Sequence, residues 1–162
     1  MRRVWAITRR ELVGYFSSPV AYIISAVFLL ISGYFYTIVI SYTREASLRF
    51  LFNNMAITWL LVAPMLTMRL FAEERKLGTF ELLMTSPIRL YELVLGKFLG
   101  AALLFLGILG VTLQYPLFLL AFGSPDLGPL AAGYLGFTLM GLGFLAVGTF
   151  ASALTDNQIV AS

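Results

Sequence analysis

Four long stretches of this 162-residue chain carry almost no charged side chains, and they constrain the fold more than any other feature. They cover residues 20–41, 55–71, 93–122 and 130–154. A helix needs roughly 20 apolar residues to cross the hydrocarbon core of a bilayer, and each stretch is near that length or longer. Barrel strands would instead alternate apolar and polar residues over about ten positions. The sequence therefore predicts an all-α polytopic membrane protein with four transmembrane helices.

Composition agrees with this interpretation. The chain is 60% hydrophobic and only 12% charged, with a mean hydropathy of +0.91, whereas soluble domains carry about a quarter charged residues. A soluble fold of this size would leave too much apolar surface in water. The chain has no cysteine and no histidine, which excludes disulfides, thiol nucleophiles, Cys/His metal sites and imidazole acid–base chemistry. We expect no catalytic residue and no metal site.

The distribution of lysine and arginine predicts the orientation in the membrane. Nine of them lie before the first span or around the connection between the second and third: Arg2, Arg3, Arg9, Arg10, Arg69, Arg75, Lys76, Arg89 and Lys97. The first loop has only Arg44 and Arg49, and the turn Gly123–Pro129 has none. Basic residues stay in the cytoplasm. The N-terminus and the second connection are therefore predicted to be cytoplasmic.

The N-terminal segment, residues 1–18, has the pattern of an interfacial amphipathic helix. At helical spacing one arc carries Val4, Trp5, Thr8, Leu12, Tyr15 and Phe16, and the opposite arc carries Arg2, Arg3, Arg9 and Arg10. Ile7 and Val13 fall outside this division. Such a helix lies in the headgroup region, where its arginines meet anionic lipid. The alternative is a solvated tail that carries positive-inside arginines.

The connection over residues 72–92 is too charged for lipid and too patterned for a plain linker. It opens with a charged cluster, Glu73, Glu74, Arg75 and Lys76. After it Gly78 breaks the helix, and Thr79 is a candidate N-cap. A short helix follows that carries Phe80, Leu83 and Met84 on one side and ends before Pro87. A helix of this kind folds back on the membrane or docks in the groove of a partner.

The same connection resembles a known family. The run Arg69-x-x-x-Glu73-Glu74-Arg75-x-x-Gly78-Thr79-x-Glu81-x-Leu83-x-x-x-Pro87-Ile88, followed by Leu95-Gly96-Lys97, is similar to the ABC-2 type permease subunits of ABC transporters. The opening Arg9-Arg10-Glu11-Leu12-x-x-Tyr15-Phe16-x-Ser18-Pro19-x-x-Tyr22 resembles the branch that includes the gliding-motility-associated permease. The resemblance covers nearly the whole chain, in order and in spacing.

The resemblance implies the transmembrane permease subunit of an ATP-driven exporter. Its partners would be a cytoplasmic ABC ATPase subunit, which binds the ATP and Mg, and a second permease subunit, identical or different. It implies a bacterial plasma membrane, and it makes residues 2–16 the connecting helix. The ATPase-coupling positions would be Glu73, Glu74, Arg75, Lys76, Gly78, Thr79, Phe80, Glu81, Leu83, Met84 and Pro87. Family members usually have six spans, so residues 1–162 are expected to be a single transmembrane domain that is incomplete after Thr155–Ser162.

The motifs that are absent narrow the chemistry. The chain has no Gly-x-x-x-x-Gly-Lys-[Ser/Thr] loop, so we expect it to bind no nucleotide or other cofactor and to be no enzyme. No charge lies at mid-span, which argues against a proton- or sodium-coupled carrier. Arg69 and Lys97 are expected to extend to the membrane boundary. We expect membrane lipid as a partner, and no nucleic acid.

Small and polar residues within the spans have their own predictions. Gly96 and Gly100, Ala132 and Gly136, and Gly141 are expected to serve close helix packing. Pro116 is expected to kink the third span. The neighbouring Gln114 either lines a pathway or bonds to another helix.

A different class of function also fits part of the pattern. A membrane scaffold that recruits a cytoplasmic partner without transporting anything would have the same topology and the same docking helix. It would not explain why the whole order of residues matches a permease. Reconstitution with the partner, followed for movement of a substrate, would distinguish a transporter from a scaffold.

Overall fold

The computed structural model describes residues 2–43, 48–68, 70, 89–123 and 125–154. Within these ranges the chain forms helices and no strand. The helices are α1 (Arg2–Ser17), α2 (Pro19–Thr43), α3 (Arg49–Thr67), α4 (Leu90–Thr112), α5 (Gln114–Phe122) and α6 (Leu127–Leu154). The all-α prediction is confirmed. The predicted coupling residues Glu73 to Pro87 lie outside the described ranges, as does Arg69.

In the described part of the chain, four helical segments are long and apolar enough to cross a membrane. They are Pro19–Ser41, Arg49–Thr67, Tyr91–Phe122 and Leu127–Ala153. The second segment begins before residue 55, its predicted start, because polar side chains in its first turns form hydrogen bonds within the helix. The Asn54 side chain donates to the Phe50 carbonyl at 2.8 Å, for example. Hydropathy alone marks the apolar run and misses this polar first part.

Helix directions follow from contacts at both ends of each pair. Phe52 of α3 meets Tyr134 of α6 with ring centroids 5.0 Å apart, and Ser152 Oγ lies 3.4 Å from the Met68 carbonyl. These contacts advance together along both chains, so α3 and α6 run parallel. Thr112 of α4 meets Tyr134 of α6, and the earlier Phe105 meets the later Gly141. The pair α4 and α6 therefore runs antiparallel, as expected for consecutive spans. The start of α4 therefore lies at the same end of the bundle as the end of α3.

An aromatic cluster at the centre joins the four spans, because each of them contributes one buried ring. Phe28 (α2) and Trp59 (α3) meet edge to face with centroids 5.5 Å apart. Trp59 lies 4.4 Å from Phe105 (α4), and Phe105 lies 5.9 Å from Phe137 (α6). The Phe105 ring occupies the space that a Cβ on Gly141 would need. The packing role predicted for Gly141 is thereby confirmed.

Candidate functional site

The described residues that flank the predicted coupling segment form the beginning of α4. Glu92 Oε2 accepts a hydrogen bond from the Arg89 backbone N–H at 3.1 Å, which stabilises the first turn of this helix. The same oxygen lies 3.9 Å from Arg3 Nη1 of α1. The start of the third span is thus capped from within and faced by the N-terminal helix.

Helix α1 packs directly on the first turns of α4, and two glycines make this approach possible. A Cβ on Gly96 would lie 2.6 Å from Ile7 Cγ2, and one on Gly100 would lie 2.7 Å from Glu11 Cβ. Thr8, only 1% exposed, places its hydroxyl 3.2 Å from the Gly96 carbonyl. The small-residue spacing of Gly96 and Gly100 therefore serves helix packing, as predicted, and the partner is α1.

A buried ion pair strengthens the same contact. Lys97 Nζ lies 3.0 Å from Glu11 Oε1, and the two side chains are 2% and 17% exposed. A charge-assisted hydrogen bond of this length is stronger than a neutral one. A charge so far removed from water also requires its partner, because its desolvation is costly when it stands alone. Helix α1 is therefore fixed to α4 by shape and by charge at neighbouring positions.

These contacts show which residues of the N-terminal segment meet α4. Ile7, which falls outside the predicted apolar arc, packs on α4, whereas Trp5 and Phe16 of that arc are 63% and 59% exposed. Helix α1 docks through Ile7 and Glu11 together with Thr8, a member of the predicted arc. It leaves exposed its basic residues, Arg2, Arg3, Arg9 and Arg10. The Lys97 ammonium is paired with Glu11 and buried, and its predicted reach to the membrane boundary stays a prediction. Glu11 is the single acidic residue in α1. This was the sequence feature that could have indicated an ion pair with a basic residue of another helix.

The third span is interrupted where the sequence predicts a kink. Helix α4 ends at Thr112, Leu113 forms a turn, and α5 begins at Gln114. Pro116 has no N–H, so it cannot bond the carbonyl four residues earlier, which belongs to Thr112. Tyr134 Oη of α6 donates to this carbonyl at 2.9 Å. The polar group that proline frees within the membrane is therefore satisfied by another span.

Helix α5 is bonded to α2 by two tyrosines. Tyr115 Oη donates to the Leu29 carbonyl at 3.3 Å, and Tyr36 Oη donates to the Tyr115 carbonyl at 3.0 Å. Their rings stack with centroids 4.7 Å apart. Gln114 is exposed on α5, and its two predicted roles both stay predictions. Sequence reasoning missed all three tyrosines at this break, because aromatic residues are common in any span.

A cleft of about 450 Å³ opens at the opposite end of the bundle from α1, between the starts of α3 and α6. It is lined by Leu48, Arg49, Phe52, Pro125, Asp126, Pro129, Leu130 and Gly133. Asp126 Oδ1 accepts a hydrogen bond from the Gly128 N–H at 3.2 Å, so this side chain stabilises the turn before α6. Among the described residues, no group of three acidic side chains comes together as a metal site requires.

Comparison with known proteins decides the family. A family model described as ABC-2 family transporter protein matches residues 37–162. The chain belongs to the ABC-2 transporter family. It is an integral membrane protein and a permease component of an ABC transporter. Searches of curated proteins and of solved structures gave no match. The matched region includes the connection over residues 72–92, whereas α1 and its opening motif lie outside it.

Proposed function

We propose that this permease couples ATP hydrolysis by a separate cytoplasmic ABC ATPase to outward movement of a substrate. The observation that carries the proposal is the family match over residues 37–162, which includes the charged connection. The proposed contact surface on the ATPase side is the short helix that the sequence predicts, with Phe80, Leu83 and Met84 on one side and Glu73 and Glu74 expected at its base.

The way in which α4 is held supports this mechanism. A rigidly attached helix transmits a movement, whereas a flexible attachment would dissipate it. The connection leads straight into α4 at Arg89, and the first turns of α4 are held to α1 by Gly96, Gly100 and the Glu11–Lys97 pair. A push on the connection would therefore displace α1 and the start of α4 together.

The remaining parts of the proposal are orientation, location and assembly. The end of the bundle that holds α1, Met68 and Arg89 would face the cytoplasm of a bacterium, with the protein in its inner membrane. The excess of basic residues at this end supports that orientation. A second permease subunit would complete the pathway, and Gln114 would lie on the surface of α5 that faces it. Placement in the gliding-motility branch rests on the opening motif in α1.

Co-purification tests the partner. The chain is co-expressed with a candidate ABC ATPase, and the complex is isolated through a tag on the permease. Phe80→Asp and the double change Glu73→Lys/Glu74→Lys are expected to abolish the complex and its vanadate-sensitive ATPase activity. Phe50→Asp is the matched control, because Phe50 is exposed at the opposite end of the bundle. An intact complex with unchanged ATPase activity in both coupling variants would refute the coupling role.

Reconstitution separates a transporter from a scaffold. The complex is placed in vesicles, and the distance between spin labels on α1 and α3 is measured with and without vanadate-trapped nucleotide. A transporter changes this distance when the ATPase closes. A scaffold binds the ATPase and keeps the distance unchanged. The permease alone is expected to bind no ATP, which equilibrium dialysis with labelled ATP measures directly.

A further inference from the structure

We infer that the third span works as two segments joined by a hinge at Leu113, with the Tyr134 phenol as the latch that holds the hinge at one angle. This inference goes beyond the proposed function. It concerns the chain itself and holds whether or not ATP drives the movement.

The backbone at Leu113 has the bonding of a joint rather than of a continuous helix. The Leu113 N–H reaches back three residues to the Gly110 carbonyl at 3.2 Å, and regular bonding resumes with Leu117 N–H to the Leu113 carbonyl at 3.3 Å. Between them, Pro116 supplies no donor. Sharp bends in helices occur at prolines, where the i to i−4 ladder is interrupted. The chain can therefore change its angle here without breaking a helical hydrogen bond.

The last two turns of α4 add freedom on the other side of the joint. Gly107 and Gly110 are exposed, and a Cβ on either would meet nothing within 4 Å. Packing within the chain thus does not require glycine at these positions, in contrast to Gly96 and Gly141. Glycine weakens a helix through its larger backbone freedom. Two such residues immediately before the proline break lower the resistance of the span to bending.

The latch comes from a different span. The hydroxyl of Thr112 lies 2.7 Å from the Leu109 carbonyl and bonds within its own helix. Tyr134 Oη, at 2.9 Å, is the donor that meets the freed Thr112 carbonyl. The Tyr134 ring packs edge to face on Phe52, so α3 and α6 together position the phenol. Loss of the Tyr134 hydroxyl removes the bond from α6 to the Thr112 carbonyl, next to Leu113, and the 3.5 Å contact with Thr112 Oγ1.

The two segments are attached to different neighbours, so movement between those neighbours must be taken up between the segments. Helix α4 is held to α1 by the Glu11–Lys97 pair. Helix α5 is held to α2 by the reciprocal bonds of Tyr36 and Tyr115. When α1 moves relative to the outer part of α2, α4 follows α1 and α5 follows α2. Leu113 is the point at which the difference is absorbed.

Pulsed electron–electron double resonance on the chain in lipid nanodiscs tests the hinge, because it measures the distance between two spin labels. The chain has no cysteine of its own, so paired cysteines take nitroxide labels specifically. Labels at the exposed positions Leu99 and Leu120 span the joint, at about 31 Å for a continuous helix. Labels at Leu127 and Val147 give the control distance, about 30 Å, within the uninterrupted α6.

A hinge gives a broader distance distribution for the joint pair than for the control pair. Pro116→Ala restores the missing donor and is expected to narrow the joint distribution to the control width. Tyr134→Phe keeps the ring on Phe52 and removes only the donor, so it is expected to broaden the distribution and shift its mean.

Two results would overturn the inference. One is a joint distribution in the unmodified chain that is no wider than the control. The other is a Tyr134→Phe distribution identical to that of the unmodified chain, because Tyr134 would then be a static packing residue. Since Tyr134→Phe removes a single oxygen atom, the test stands even where Pro116→Ala fails to fold. Neither measurement involves the ATPase, so failure of the coupling proposal leaves this test intact.

Discussion

Replacing Glu11 by glutamine removes the carboxylate that faces Lys97 Nζ across 3.0 Å. The Lys97 side chain is 2% exposed, so water cannot take the place of the lost charge. Breaking a buried pair on one side costs about 3–5 kcal/mol. Glu11 keeps some contact with solvent, at 17% exposed, so we expect the lower end, about 3 kcal/mol. That shifts the equilibrium between docked and undocked α1 roughly a hundredfold.

Hydrogen exchange of the α1 amides in nanodiscs measures this shift. Exchange over Ile7–Leu12 is expected to accelerate about a hundredfold in Glu11→Gln, because amides exchange through the undocked state. Arg9→Gln is the matched control, since Arg9 is an exposed residue of the same helix. Such surface changes alter stability by no more than about 0.5 kcal/mol.

The double variant Glu11→Met/Lys97→Leu separates charge from shape. Replacing a buried pair by apolar residues of similar volume is often neutral, so slow exchange is expected to return. If Glu11→Gln exchanges no faster than Arg9→Gln, the ion pair does not hold α1. If the double variant exchanges as fast as Glu11→Gln, the contact depends on the side-chain shapes and the reasoning from charge fails.

Three further predictions concern the bundle and its orientation. Gly141→Val is expected to lower the thermal stability of the purified protein, because its side chain meets the Phe105 ring, whereas Gly143→Val, with open space around it, is expected to leave the unfolding temperature unchanged. Trp59→Phe is expected to cost less than truncation to alanine in the same assay. Its indole N–H is buried without a partner, so the change loses no hydrogen bond. Trp5→Cys is expected to react with a membrane-impermeant thiol reagent in inverted vesicles and not in intact cells; the reverse pattern would refute the cytoplasmic N-terminus.

The spans were predictable because lipid imposes one strict condition. A segment that crosses the membrane must form all its backbone hydrogen bonds internally and present apolar side chains to lipid. The four long apolar runs are directly visible in the sequence. The helix over residues 2–17 was predictable from its periodicity for a similar reason. The contact of this helix with α4 was not predictable. Gly96 and Gly100 indicate close packing of α4 with some helix, but they do not indicate which one.

Long-range polar contacts could not be predicted from the sequence either, because a local pattern does not identify a partner on another helix. Pro116 predicts a freed carbonyl at Thr112, but the donor lies 22 residues away on another span. Tyr134 carries no local signal that distinguishes it from other tyrosines near a membrane surface. The coupling positions around Glu73 to Pro87 stay predictions, since they lie outside the described residues. They rest on the order of residues in the sequence and on the family match.

The docking of α1 on α4 also sets an order for biogenesis. Glu11 and Lys97 are 86 residues apart in the chain, so a ribosome working at about 5–20 residues per second delivers the lysine roughly 4–17 s after the glutamate. During that interval two spans insert while α1 waits at the membrane surface with Ile7 and Thr8 uncovered. Lys97 then enters the boundary of the membrane next to a carboxylate that is already there. The first segment to be made is thus packed only after the start of the third span has been made.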